Sequence, residues 1–142
     1  MENIERVPDS TAAREALASI DVAQRAVRDT PWPTWLYPVN AVLLGAMALT
    51  ALAPEDNRFP TLLAVAFAVI AVNAVTGYRM GTPWTWPTSR VFLVSVIGAG
   101  LCMAAAFAVS DHTGPVIALA VATAALYLVG SVAHRRTTGR PR

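Results

Sequence analysis

VFLVSVIGAGLCMAAAFAVS, Val91 to Ser110, runs for twenty residues without an Asp, Glu, Lys, Arg or His. As a helix rising 1.5 Å per residue it would be about 30 Å long, the thickness of a bilayer's hydrocarbon core. Helices in lipid have no hydrophobic drive to pack, so small residues that let backbones approach mark their interfaces. Gly98, Cys102, Ala106 and Ser110 recur every four residues in this stretch. Gly98, Cys102 and Ala106 are therefore expected packing positions, on a helix that is central or meets a second copy.

Three more stretches have the same character. WLYPVNAVLLGAMALTALA covers residues 35–53, FPTLLAVAFAVIAVNAVTGY covers 59–78, and GPVIALAVATAALYLVGSVA covers 114–133. A hydrophobic content of 55% with 14% charge is far from that of a soluble chain of 142 residues. The fold expected is all-α: an integral membrane four-helix bundle of two antiparallel helical hairpins. The hairpins follow from short links at Pro54 to Arg58 and Ser110 to Gly114, whereas the middle link, Arg79 to Arg90, is longer and broken by Gly81, Pro83 and Pro87.

Before the bundle, STAAREALASIDVAQRAVRD (Ser10 to Asp29) has helix-favouring composition, an N-cap candidate at Ser10 and a stop at Pro31. Ala13, Ala16, Leu17, Ile20, Ala23 and Val27 form one apolar stripe at spacings of three and four. Acidic Glu15, Asp21 and Asp29 balance Arg14, Arg25 and Arg28, so contact with protein is favoured over a lipid surface. Residues 1–30 thus read as a cytoplasmic amphipathic helix segment, 31–134 as the bundle and 135–142 as an arginine-rich cytoplasmic tail.

All eleven basic residues are arginine, and only Arg58 falls on the side opposite the other ten. That bias places both termini in the cytoplasm of a bacterial plasma membrane. No apolar segment resembling a signal peptide opens the chain, which is expected to keep its N-terminus.

All four tryptophans lie in two similar phrases, TPWPTW (Thr30 to Trp35) and TPWTWP (Thr82 to Pro87). Aligning them brings Gly45 opposite Gly98 and Pro60 opposite Pro115, so the halves read as a parallel internal repeat about an axis along the membrane normal. Trp32, Trp35, Trp84 and Trp86 read first as interfacial anchors, with an indole N–H at the wet edge.

Chemistry is sparse. None of the four stretches holds an ionisable Asp, Glu, Lys, Arg or His, the residues that usually mark catalysis or ion coupling inside a membrane. His112 and His134 are expected on opposite sides of the core, and one cysteine supports neither a disulfide nor a Cys-based metal site within the chain. No cofactor or metal is expected. A net charge of +2, with arginines spread over three segments, also speaks against nucleic acid.

Two known classes share only size with this chain. Small multidrug transporters carry a glutamate in their first span, which is missing here, and the arginine bias opposes the dual topology of small fluoride channels. The chain resembles small, uncharacterised actinobacterial four-span membrane proteins with a charged N-terminal helix, and that resemblance implies no activity.

The expected function is a structural, accessory or interaction subunit without catalysis. Its expected partners are the lipid bilayer and a second copy or another membrane protein, met through the N-terminal helix. The alternative is a binding or transport module for a small apolar or cationic ligand, lined by Asn40, Asn73, Tyr127, Trp32, Trp35, Trp84 and Trp86. An enzyme acting on a lipid-like substrate comes third, since no general acid, base or metal set is visible.

Overall fold

The computed structural model describes residues 10–28, 32–81 and 89–137. The chain divides into two units, Met1–Thr30 and Pro31–Arg142. In the first, α1 spans Ser10–Arg28. Residues 11–23 are exposed along its length, including Leu17 and Ile20 of the apolar stripe.

In the second unit α2 spans Leu36–Leu49 and tightens into a 3-10 turn over Thr50–Leu52. Helix α3 spans Glu55–Arg79, α4 Arg90–Ala108 and α5 Thr113–Thr137. No strand occurs among the described residues. Among the described residues three helices, Glu55–Arg79, Arg90–Ala108 and Thr113–Arg136, are long and apolar enough to cross a membrane. The apolar run Leu36–Leu52 is shorter, at about 27 Å from its helical and 3-10 rises.

One link differs from expectation. Glu55 to Arg58 is the first turn of α3 and not a free turn, with the Pro54 carbonyl accepting from the Asn57 and Arg58 amides at 2.9 and 2.8 Å. Glu55 and Asp56 then sit at the positive end of the helix dipole, where carboxylates are favourable. The far end of α3 closes on Gly81 at φ 69°, a left-handed cap that glycine adopts without strain.

Helix α5 is the centre of the packing, with α4 on one side and α2 on another, while α3 packs on α2 and the 3-10 turn. The sequence pattern had favoured the third apolar stretch, α4, for that place. Buried α5 positions are Val116, Ala120, Thr123, Tyr127, Gly130, Ser131 and His134, a stripe at spacings of three and four. Ala118 and Ala125, small residues of the same helix, are exposed. On α4 the buried residues Phe92, Ala99 and Ala106 recur every seven, the period of a packing seam. Ala106 is fully buried against Ala48, Ala51, Val116 and Ala120, whereas Gly98 and Cys102 flank the seam half-buried.

The tightest crossing is Gly130 against Ser95. A Cβ on Gly130 would lie 2.5 Å from the Ser95 Cβ, so glycine is required for this approach. The repeat finds no counterpart in the packing. Gly45 and Gly98, the pair aligned by the tryptophan phrases, both face α5, near Ala120 and Ala124 in one case and Leu126 in the other. A two-fold repeat would instead have seated Gly98 on α3.

Candidate functional site

The polar side chains of the apolar helices gather at the end where α2 begins and α5 finishes. Asn40 is buried in α2, one turn beyond Tyr37, and faces α3 and α5 together. Its Nδ2 donates to Asn73 Oδ1 at 3.0 Å, and Asn73 Nδ2 donates back to Asn40 Oδ1 at 2.8 Å. The second N–H of each amide is also engaged. Asn40 donates to the Tyr127 hydroxyl at 3.2 Å, and Asn73 donates to the Val69 carbonyl of its own helix at 2.8 Å.

The pair is thus a closed amide ring joining α2 to α3, with a third bond joining α2 to α5. An unmatched amide is costly in a water-free interior, and this arrangement leaves no amide donor unmatched. Neighbouring hydroxyls turn to their own helices: Ser131 donates to the Tyr127 carbonyl at 2.7 Å, Thr76 to Val72 at 2.7 Å and Thr123 to Leu119 at 2.8 Å.

Next to the amides lies a chain of five rings. Tyr37 stacks on Trp32 with centroids 6.3 Å apart, and Trp32 meets His134 edge-on at 6.4 Å. His134 lies 5.2 Å from Phe92, which makes a T-shaped contact with Tyr127 at 5.7 Å. These rings tie α2, α4 and α5 together at one end. The buried Tyr37 hydroxyl lies near the Trp32 backbone but outside hydrogen-bonding geometry.

The structure therefore brings Asn40, Asn73, Tyr127 and Trp32 into one neighbourhood. Trp35 stands apart, 53% exposed, while Trp84 and Trp86 lie outside the described residues. Tyr37, Phe92, Ser131 and His134 belong to the cluster and were missed from sequence. Their signal was available: Thr123, Tyr127, Ser131 and His134 are spaced four, four and three apart, one polar stripe on an otherwise apolar helix.

Architecture and site together define an all-helical bundle with apolar helices of membrane-crossing length and a hydrogen-bonded polar knot near one end. No family model, curated protein or solved structure matches the chain.

Proposed function

We propose that the chain is a four-span protein of the bacterial cytoplasmic membrane, with both termini in the cytoplasm, acting as a non-catalytic structural, accessory or interaction subunit. Support for the fourth crossing comes from how α2 packs. Asn40 meets Tyr127, Gly45 meets Ala120 and Ala124, and Ala48 and Ala51 share a cluster with Val116. Thus α2 runs antiparallel beside most of α5, and a helix alongside a spanning helix shares its depth.

The observation that carries the subunit reading is the amide ring: the polar groups inside the bundle bind one another. Such interhelical hydrogen bonds fasten helices, and they leave little for a substrate to engage. The exposed apolar stripe of α1, balanced in charge, offers a surface to a second copy or to another protein.

Extraction in mild detergent tests this. The full chain should migrate as an oligomer or with a stoichiometric partner, and the complex should be lost on replacing Leu17 and Ile20 by Ser. A strict monomer that brings nothing with it would remove the support.

One observation favours a second reading, the binding of a small apolar or cationic ligand. Among the described residues the buried Tyr37 hydroxyl has no hydrogen-bond partner, and it lies next to aromatic faces that suit a cation. Saturable quenching of Trp32 fluorescence by such a ligand would support it, and no response across a broad panel of ligands would count against it.

A further inference from the structure

We infer that α1 pairs with α1 of a second copy of the chain, antiparallel and in one register, with Leu17 and Ile20 in the seam and Arg14 opposite the partner's Asp21. The inference rests on the membrane-subunit reading above and names the partner.

Helical geometry sorts the side chains of α1. Residues 11–23 are all exposed, Leu17 at 65% and Ile20 at 51%. With Ile20 at the centre of the apolar face, Ala12, Ala16, Ser19 and Ala23 lie about 40–100° to one side of it. Arg14 and Asp21 lie about 100–120° to the other side, two turns apart. One shoulder of the face is therefore small and uncharged, and the other carries one charge of each sign. The Ser19 hydroxyl donates to the Ala16 carbonyl of its own helix at 2.8 Å, so it asks no acceptor of a partner.

The direction of pairing decides what these shoulders meet. Two copies of a helix packed face to face in parallel bring unlike shoulders together, which here would set the charges of one copy beside the alanines of the other. Antiparallel copies bring like shoulders together, and a single register then serves both sides. With the two-fold axis passing between Leu17 and Ala18, Ala12 is level with the partner's Ala23 and Ala16 with the partner's Ser19, small against small. In the same register Arg14 is level with the partner's Asp21, and each of these pairs occurs twice by symmetry. Ile20 enters the hole between the partner's Ala13, Ala16 and Leu17, as a knob does in a helical seam.

This self-complementarity is what selects a second copy over other occupants. An isologous contact requires a surface that matches itself after a half turn, whereas a lipid surface or an unrelated protein imposes no such symmetry on α1. Two copies inserted in the same sense are related by an axis along the membrane normal, and a helix lying across such an axis meets its mate antiparallel. One helix pair is smaller than a standard interface of roughly 1,200–2,000 Å², so confinement of both copies to one membrane has to supply the effective concentration.

The test therefore uses the full chain in membranes, with Cys102 replaced by Ala and two co-expressed copies carrying different tags. A12C and A23C copies are treated with a short bifunctional maleimide. Antiparallel pairing makes positions 12 and 23 of different copies level and leaves each about 17 Å along the seam from its own counterpart. The mixture should give a cross-linked heterodimer, and either variant alone almost none. Cross-linking of A12C to itself, with none to A23C, overturns the inference.

The charges provide an independent check. R14D and D21R should each lower co-purification of the two tagged copies on the order of tenfold, since two attractions worth about twofold each become two repulsions. An R14D copy should nevertheless pair with a D21R copy as wild type pairs with itself, because both contacts again join opposite charges, and no recovery in that mixture overturns the register. The cysteine variants keep the test decisive if a charge variant does not fold. Copies that co-purify without the cross-link or the charge effect associate elsewhere, which refutes pairing at α1 and leaves the subunit reading standing. A chain held by a different protein and by no second copy does the same, whereas a strict monomer that brings nothing with it refutes both.

Discussion

Asn40 is the junction of the polar knot, and removing it should cost more than removing either partner. Interhelical hydrogen bonds in membranes contribute about 0.6 kcal/mol each on average. Asn73→Ala deletes the two bonds of the amide ring, for a loss of about 1.2 kcal/mol on that figure. Asn40→Ala deletes those two and the bond to Tyr127, for a loss of about 1.8 kcal/mol.

The ring is shared, so the double variant should lose about 1.8 kcal/mol and not the sum of about 3.0 kcal/mol, a coupling of about 1.2 kcal/mol. Reversible unfolding in mixed micelles, followed by tryptophan fluorescence, measures all three variants. Tyr127→Phe supplies the remaining bond alone, at about 0.6 kcal/mol. Additivity within about 0.3 kcal/mol would refute the closed ring, since independent sites add to that precision.

Three further outcomes follow from the packing. Gly130→Ala forces a Cβ into Ser95 and should destabilise by about 1–3 kcal/mol, with much of the loss recovered by adding Ser95→Gly, whereas Gly100→Ala, which meets nothing within 4 Å, should be neutral or mildly stabilising in the same unfolding assay. Ala106→Leu should cost about 1–3 kcal/mol because the site is fully enclosed by Ala48, Ala51, Val116 and Ala120. Trp32→Ala should lower thermal stability clearly more than Trp35→Ala, because Trp32 contacts Tyr37 and His134 while Trp35 is mostly exposed.

Much of the fold can be read from periods without charge. The apolar stretches at 91–110 and 114–133 fall within two residues of α4 at its start and end and within α5, because a charge-free run of that length has few alternatives. Charged residues beside Pro54 misled the reading at α3, since Glu55 and Asp56 look like a loop but are favourable at a helix N-terminus.

Packing partners were harder. Small residues occur on every face of alanine-rich helices, so exposed Ala118 and Ala125 look no different in sequence from buried Ala120, and only the polar stripe from Thr123 to His134 distinguishes the inner face. Asn40, Asn73 and Tyr127 were legible as candidates because polar side chains in apolar helices must find partners. The sequence reading groups them around one site, but that the amides close on one another depends on α3 and α5 both reaching one residue of α2. The sequence expectation for His134 is only that it lies across the core from His112, yet its ring is packed between Trp32 and Phe92.

The tryptophan phrases gave a false symmetry. Their likeness is local, and the second phrase lies outside the described residues. The helices that follow them pack differently, with α5 taken up by both α2 and α4 and α3 left on α2.

The most direct test is the structure of the full chain in a lipid nanodisc, viewed at Asn40. The expected result is the Asn40 amide closed on Asn73 and Tyr127, with nothing between them. A molecule inserted between Asn40 and Asn73, taking up their amides, would contradict it and make the bundle a binding module.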